Sequence, residues 1–281
     1  MPLTTYQPGP LPTTIDAVIQ QLEQLIEACA AQKDRIGYFA ALYHKVTVRV
    51  KQGIQNGEFE DGPRMERLDV LFANRYLAAV RQYLHKEPPT GSWTVAFTAT
   101  HKRRTLVLQH LLLGMNAHIN LDLGVAAVET MAGQDIDTIR GDFNTINTII
   151  GSLIFEVMNE INRVSPLLSL FGFHATNESI LIQFSITNAR DGAWSFAENL
   201  ALKVGKPPAD WATCINTRDG SIQKLGQSLT KPKGLIRITM WFIHLFEWKN
   251  PARVIGAFYK QEKKYITTAE LDVKKKPATA A

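Results

Sequence analysis

The stretch TLVLQHLLLGMNAHINLDLGVAAV, from Thr105 to Val128, is apolar almost all the way round when wound as a helix. A helix of that kind in a globular protein is enclosed by other helices, because no face of it tolerates water. The expected fold class is therefore all-α: a single multi-helix bundle around a central buried helix at about 104–130. The same stretch carries Gln109, His110, Asn116, His118, Asn120 and Asp122, groups that resist leaving water unless each finds a partner. At about 100° per residue they sort into two stripes on nearly opposite sides, Gln109/Asn116/Asn120 on one and His118/Asp122/Glu129 on the other. For the asparagines, hydrogen bonding to a neighbouring helix is the expected role.

Helical periodicity continues outward from this hub. TTIDAVIQQLEQLIEACA repeats apolar residues at Ile15, Val18, Leu22, Leu25, Ile26 and Cys29, with Thr13 and Asp16 spaced as a capping box. A second helix is expected over about Arg35 to Ile54, with His44 turned to the surface, and a third over about Pro63 to Leu84. Arg75 falls in the middle of the third helix's apolar face, so it must either reach the surface or be paired inside. A short helix near Trp93–Thr100 precedes the hub, and a long one from about Asp137 to Val164 follows it. SILIQFSIT, Ser179 to Thr187, alternates like a strand, but it runs into the helical NARDGAWSFAENLALKVG and is expected to be one helix with it. GKPPADW and the segment ending in TKPKG are expected to be a loop and a polar connector. The resulting division is a flexible segment at 1–12, one helical domain at 13–260 and a basic, largely flexible tail at 261–281.

Bulk properties exclude several classes. At 281 residues, 45% hydrophobic, 20% charged and with a net charge of +5, the chain has ordinary globular composition, and no dense basic stripe with stacking aromatics points to nucleic acid. Two distant cysteines, Cys29 and Cys214, support neither a disulfide framework nor a thiolate zinc cage. The opening MPLTTYQPGPLPTT lacks the basic and apolar regions of a secretory signal, so a cytoplasmic location is expected. There is no HExxH, no ExxH, no GxSxG elbow, no Walker A loop and no GxGxxG.

His118 and Asp122 are the candidate chemistry. One helical turn apart, an imidazole and a carboxylate can be directed at one point, as metal ligands or as a base with its orienting group. They can equally hydrogen-bond each other and a neighbouring helix. His110 lies at the edge of that site as a second ligand, a proton carrier or a satisfied core histidine. Asp69 and Asp142 are the carboxylates placed to complete a divalent metal site, zinc or iron, and either can instead neutralise Arg75.

The phrases GYFAALYHKVTVRVKQGI, DGPRMERLDVLFANRYL and LQHLLLGMNAHINLDLG, in that order, resemble a bacterial family defined only as a domain of unknown function. The resemblance runs over about Ile15 to Leu168, with a looser fit beyond, and implies an all-helical single domain without implying an activity. HINLD is also similar to the HxxxD pair of the helical zinc-dependent phospholipase C and P1-nuclease group. The resemblance implies that His118 and Asp122 hold a metal. That group also uses an N-terminal tryptophan as a ligand, where this chain begins Met1-Pro2, and its second histidine-rich helix has no counterpart here.

GLIRITMWFIHLFEWKN is too short to span a bilayer, which takes about 20 apolar residues. Leu235, Ile238, Phe242, Leu245 and Phe246 form one face of this aromatic amphipathic C-terminal helix. Trp241 and Trp248 gather opposite, beside cations, as in a helix lying at a membrane surface, covering an apolar pocket or packing as a last core helix. The leading functional expectation is a metal-dependent, hydrolase-like enzyme acting on a small or lipid-like apolar substrate at the His/Asp site. The alternative is a non-catalytic helical protein that binds an apolar ligand or makes peripheral membrane contact through Trp241 and Trp248.

Overall fold

A computed structural model describes residue 3, residues 6–168 and residues 186–259, and every regular element among them is helical. The core axis is the apolar stretch around Thr105–Val128. It runs as α5 (Val107–Ala117), a π-helical turn (His118–Asp122) and α6 (Leu123–Met131). These 25 residues are long and apolar enough to cross a membrane, yet 94% of the most apolar window is buried inside the protein. They form the hub of a helical bundle.

Around the hub lie α1 (Ile15–Gln32), α2 (Ile36–Gln55), α3 (Gly62–Leu84), α4 (Gly91–Thr100) and α7 (Arg140–Val164), the last entered through a 3-10 turn at Ile136–Ile139. Helix α8 (Ile186–Ala201) packs on α6, and α9 (Pro208–Thr230) packs on α4 and α5. The C-terminal part is α10 (Gly234–Phe246) and a helix at 251–259. The start of α1 is capped by Thr14, whose hydroxyl accepts from the Ala17 backbone N–H at 3.2 Å, one residue later than the expected capping box at Thr13. The opening residues lie against the body: Leu3 and Tyr6 are buried in the core, and Asn74 donates to the Pro12 carbonyl at 3.0 Å. Residues 179–185 and the tail at 261–281 lie outside the described residues, while α8 continues the helical reading from Ile186.

Two expectations need correction. The connector before TKPKG is a 23-residue helix, α9, and it is what the asparagine stripe binds. Gln109 donates to the Leu229 carbonyl at 2.7 Å, and Asn116 donates to the Ile222 carbonyl at 3.0 Å and accepts from Asn120 at 3.2 Å. Arg218 donates to the Asn120 carbonyl at 2.9 Å, and Asp219 accepts from the Gly91 and Ser92 N–H groups, supplying α4 with the N-terminal cap that Thr90 does not give it. His44, expected at the surface, is buried, because α1 brings Glu23 within 3.5 Å of its Nε2 and the 251–259 helix brings the Tyr259 ring edge-on at 5.3 Å.

The C-terminal helix turns its apolar face outward. Only Met240 and Ile243 of α10 are buried, while Leu235, Ile238, Phe242, Leu245 and Phe246 are 78, 55, 42, 50 and 60% exposed. Trp241 is also exposed, whereas Trp248 is drawn inward between the guanidinium groups of Arg253, 3.7 Å from its ring centre, and Arg163, at 5.7 Å.

Candidate functional site: a His–Asp pair on an apolar cavity

The π turn places the polar pair. Its widened winding, in which the Leu123 N–H reaches back five residues to the His118 carbonyl, replaces one α-helical turn at the point where α3, α8 and α9 pack against the hub. The His118 Nδ1 and Asp122 Oδ2 lie 3.2 Å apart, so the i, i+4 pairing read from the sequence is made. Asp122 is the hub of a larger network. Its Oδ2 also accepts from the Trp93 indole N–H at 2.8 Å, and its Oδ1 accepts from Arg75 Nε at 3.0 Å. The partner of Arg75 is therefore Asp122, in place of the proposed Asp69 or Asp142, with Glu129 at 4.0 Å as a second, outer carboxylate. Burial acts to raise the Asp122 pKa, but Arg75, His118 and Trp93 outweigh it and hold the carboxyl below the usual carboxylate range.

That fixes the state of His118. An ionised Asp122 only accepts, so the imidazole Nδ1 carries the proton and Nε2 presents a lone pair. Burial lowers the His118 pKa, and the opposing pull of Asp122 does not restore it, so the ring is neutral. It is held on all sides by aromatics: Phe72 stacks on it at 3.6 Å between centres, Tyr43 meets it edge-on at 4.5 Å, and Phe39, Tyr76 and Trp93 lie within 6.0 Å. Its Nε2 is buried and has no hydrogen-bond partner among the described residues.

His118 lines a cavity of about 530 Å³, within the range of small-molecule sites. The walls come from α2 (Leu42, Val46, Val50), the hub (Leu108, Leu112, Met115, Ile119) and α7 (Ile146, Leu153, Val157, Ile161), apolar at almost every position. Along the hub the lining runs from Leu108 to Leu123, a length of about 22 Å at 1.5 Å per residue. The polar lining is His118, Asp69, Asn188 and Arg190, with the Tyr43 side chain beside them. Asp69 is buried with an unpartnered Oδ2, and burial, with Glu66 adding to it, pushes its pKa up to about 8, so at neutral pH it is a protonated donor.

The other predicted site residues lie elsewhere. Asp142 is fully buried and ties down the loop before α3, accepting from the Glu60 N–H at 2.6 Å, the Asp61 N–H at 3.2 Å and Arg64 Nη2 at 2.6 Å. His110 lines a separate space of about 20 Å³ with Arg35, Tyr76 and Thr100. Burial and then Arg35 push its pKa down to about 3, and neither ring nitrogen has a partner. Gly114 gives its room to a close helix: a Cβ there would fall on the Phe39 ring. Among the described residues no three His, Cys, Asp or Glu side chains come together in a metal-holding group.

Sequence reasoning missed Trp93, Phe72 and Arg190. Arg190 was findable, because it shares an i, i+3, i+4, i+7 face with Ala193, Trp194 and Ala197, all buried. No curated protein and no solved structure matches the chain. One family model does, described as a family of unknown function (DUF5995), over residues 15–232, which reaches well past Leu168 to take in α8 and α9. The chain is thus a member of the DUF5995 family.

Proposed function

We propose that the protein binds an elongated, mainly apolar molecule in the cavity along the hub, with a polar group of that molecule set against His118 and Asp69. One observation carries this: a cavity of about 530 Å³ with apolar walls is lined by residues whose buried polar atoms, His118 Nε2 and Asp69 Oδ2 together with Tyr43 Oη and Arg190 Nε, find no hydrogen-bond partner among the described residues. Buried polar atoms without partners are uncommon and costly, and a ligand hydroxyl donating to Nε2 removes that cost. The chemistry this arrangement equips is proton transfer, since Asp122 holds the imidazole in the tautomer whose Nε2 lone pair points away from it. A hydrolase-like reaction on a lipid-like substrate would use His118 as its base.

A divalent metal at this place, zinc or iron, would take His118 Nε2 and Asp69 as its protein donors. Asp122 already accepts from three donors and Asp142 from three others. Elemental analysis of the purified protein, wild type against His118→Gln, tests this: a stoichiometric metal lost in the variant supports it, and none in either sinks it.

For the binding reading the probe is 1-dodecanol. Burying a methylene is worth about 0.8 kcal/mol, and immobilisation removes at least about 4 kcal/mol, which leaves a dissociation constant of about 10⁻⁴ M at the tightest. One-to-one saturation, with the His118 Nε2 resonance moving on titration in nitrogen NMR, is the expected result. No saturable binding, or binding that leaves His118 unmoved, contradicts it.

The exposed face of α10 favours a second, independent reading, peripheral contact with an anionic membrane. Leu235, Ile238, Trp241, Phe242, Leu245 and Phe246 face outward, and beside them Lys102, Arg104, Arg237 and His244 line a groove of about 480 Å³. Co-sedimentation with phosphatidylglycerol vesicles, weak with phosphatidylcholine and lost in Phe242→Asp/Phe246→Asp, is expected. Equal sedimentation of the variant overturns it.

A further inference from the structure

Arg190 is 98% hidden from solvent, at 2% relative exposure, and it lines the same cavity. Its Nη2 donates to the Phe143 carbonyl, and its guanidinium lies 4.4 Å from the Phe143 ring centre. Its Nε has no partner, and no carboxylate of the described residues lies within ion-pair distance of it. The adjacent Asp191 is exposed and makes no ion pair with it. Among the described residues the other buried lysine or arginine, Lys45, pairs with Glu156 at 2.7 Å, and the partly buried Arg64 pairs with Asp142 at 2.6 Å. A guanidinium is not neutralised at physiological pH, so taking it out of water without a counter-charge is costly, and a ring face and one carbonyl offset only part of that cost.

The position of Arg190 within the cavity gives the missing charge a place. Phe143, to which it is anchored, is one turn before Ile146, the first cavity residue of α7, and Ile146 belongs to the same core cluster as Ile119 and Leu123. Leu108, Leu111, Leu112 and Ile161 belong to the other cluster and close the far end with purely apolar side chains. The cavity is thus cationic at one end and apolar at the other.

Resting on the binding reading above, we propose that Arg190 is an anion anchor and that the ligand class is a long-chain carboxylate. The carboxylate head group would pair with the guanidinium at the α7 N-terminal end, in place of a neutral head group set against His118 and Asp69, and the chain would lie along the hub toward Leu108 and Ile161. A carboxylate matches the planar fork of a guanidinium in two parallel hydrogen bonds, and Asp69, protonated at neutral pH, adds no repelling charge.

Dodecanoate and 1-dodecanol share a chain and differ in head charge, so titrating both into wild type, Arg190→Met and Arg190→Lys tests the anchor. Wild type is expected to bind dodecanoate at least about ten times more tightly than 1-dodecanol, as for a hydrogen bond to a charged group. Arg190→Met is expected to lose that preference while holding 1-dodecanol as wild type does, and Arg190→Lys is expected to keep part of it. Unchanged 1-dodecanol affinity in Arg190→Met shows that the cavity is intact. If both probes bind wild type equally, or if Arg190→Met keeps the preference, the anchor is wrong and the binding reading stands. If neither probe binds wild type, the binding reading fails and the anchor falls with it.

Discussion

Replacing Asp122 by asparagine changes one atom and should unsettle the centre of the protein. The carboxylate is 1% exposed and accepts from Arg75, Trp93 and His118. An asparagine has a single acceptor oxygen, and whichever way its amide is turned, its NH₂ group faces a donor. The best rotamer keeps the oxygen toward Trp93 and His118 and sets NH₂ against the Arg75 guanidinium. Arg75, with a side chain 22% exposed, is left with only Glu129 at 4.0 Å. Breaking one side of a buried ion pair costs about 3–5 kcal/mol, which for a chain of this size lowers the melting temperature by about 6–20 °C. Urea unfolding with linear extrapolation measures the first and a thermal melt the second. Asp137→Asn is the control: its pair with Arg140 is exposed on both sides, 63 and 58%, and its loss should stay under about 1 kcal/mol. An Asp122→Asn loss as small as the control's would refute the network.

Two pH profiles, one shifted titration and one packing change follow from the same structure. Asp69 has a folded pKa of about 8 against 3.8 unfolded, so between these values the native state holds more protons and its stability falls as pH rises. Asp69→Asn should flatten that slope and be the more stable protein at pH 9, by at most about 6 kcal/mol. His110 is the opposite case: with a folded pKa of about 3 against 6.5, stability falls as pH drops through that window. His110→Leu should remove this acid sensitivity while staying within about 1.5 kcal/mol of wild type at pH 7. Removing the nearby positive charge in Arg75→Met should raise the His118 pKa, read by NMR titration. Gly114→Ala, with its Cβ on the Phe39 ring, should cost about 1–3 kcal/mol in urea unfolding.

The hub and its neighbours were legible because their apolar residues recur at helical spacing, and the His118–Asp122 contact because a one-turn pairing follows from local geometry alone. What stayed hidden depends on contacts distant in sequence. Helix α9 buries only Ile222, Gly226 and Leu229, and its polar remainder reads as a connector until the asparagine stripe is seen to need its carbonyls. Arg75 had two acidic candidates, Asp69 and Asp142, and only the crossing of α3 over the π turn gives it Asp122 in their place. The exposed apolar face of α10 was beyond a helical wheel, which finds a face without telling which side the body occupies. The cavity itself is a property of how α2, α7 and the hub fail to close, and no periodicity records a gap.

The claim on which the rest turns is that this gap receives a chain-like molecule. Met115 lines it at the middle of the hub, so Met115→Trp should plug it without disturbing the Asp122 network. Calorimetric titration of wild type and Met115→Trp with 1-dodecanol is the most direct measurement. One saturable site is expected in wild type and at least a tenfold weaker one in the variant, with both proteins folded by circular dichroism. Equal binding by the two proteins would place the ligand elsewhere and contradict it.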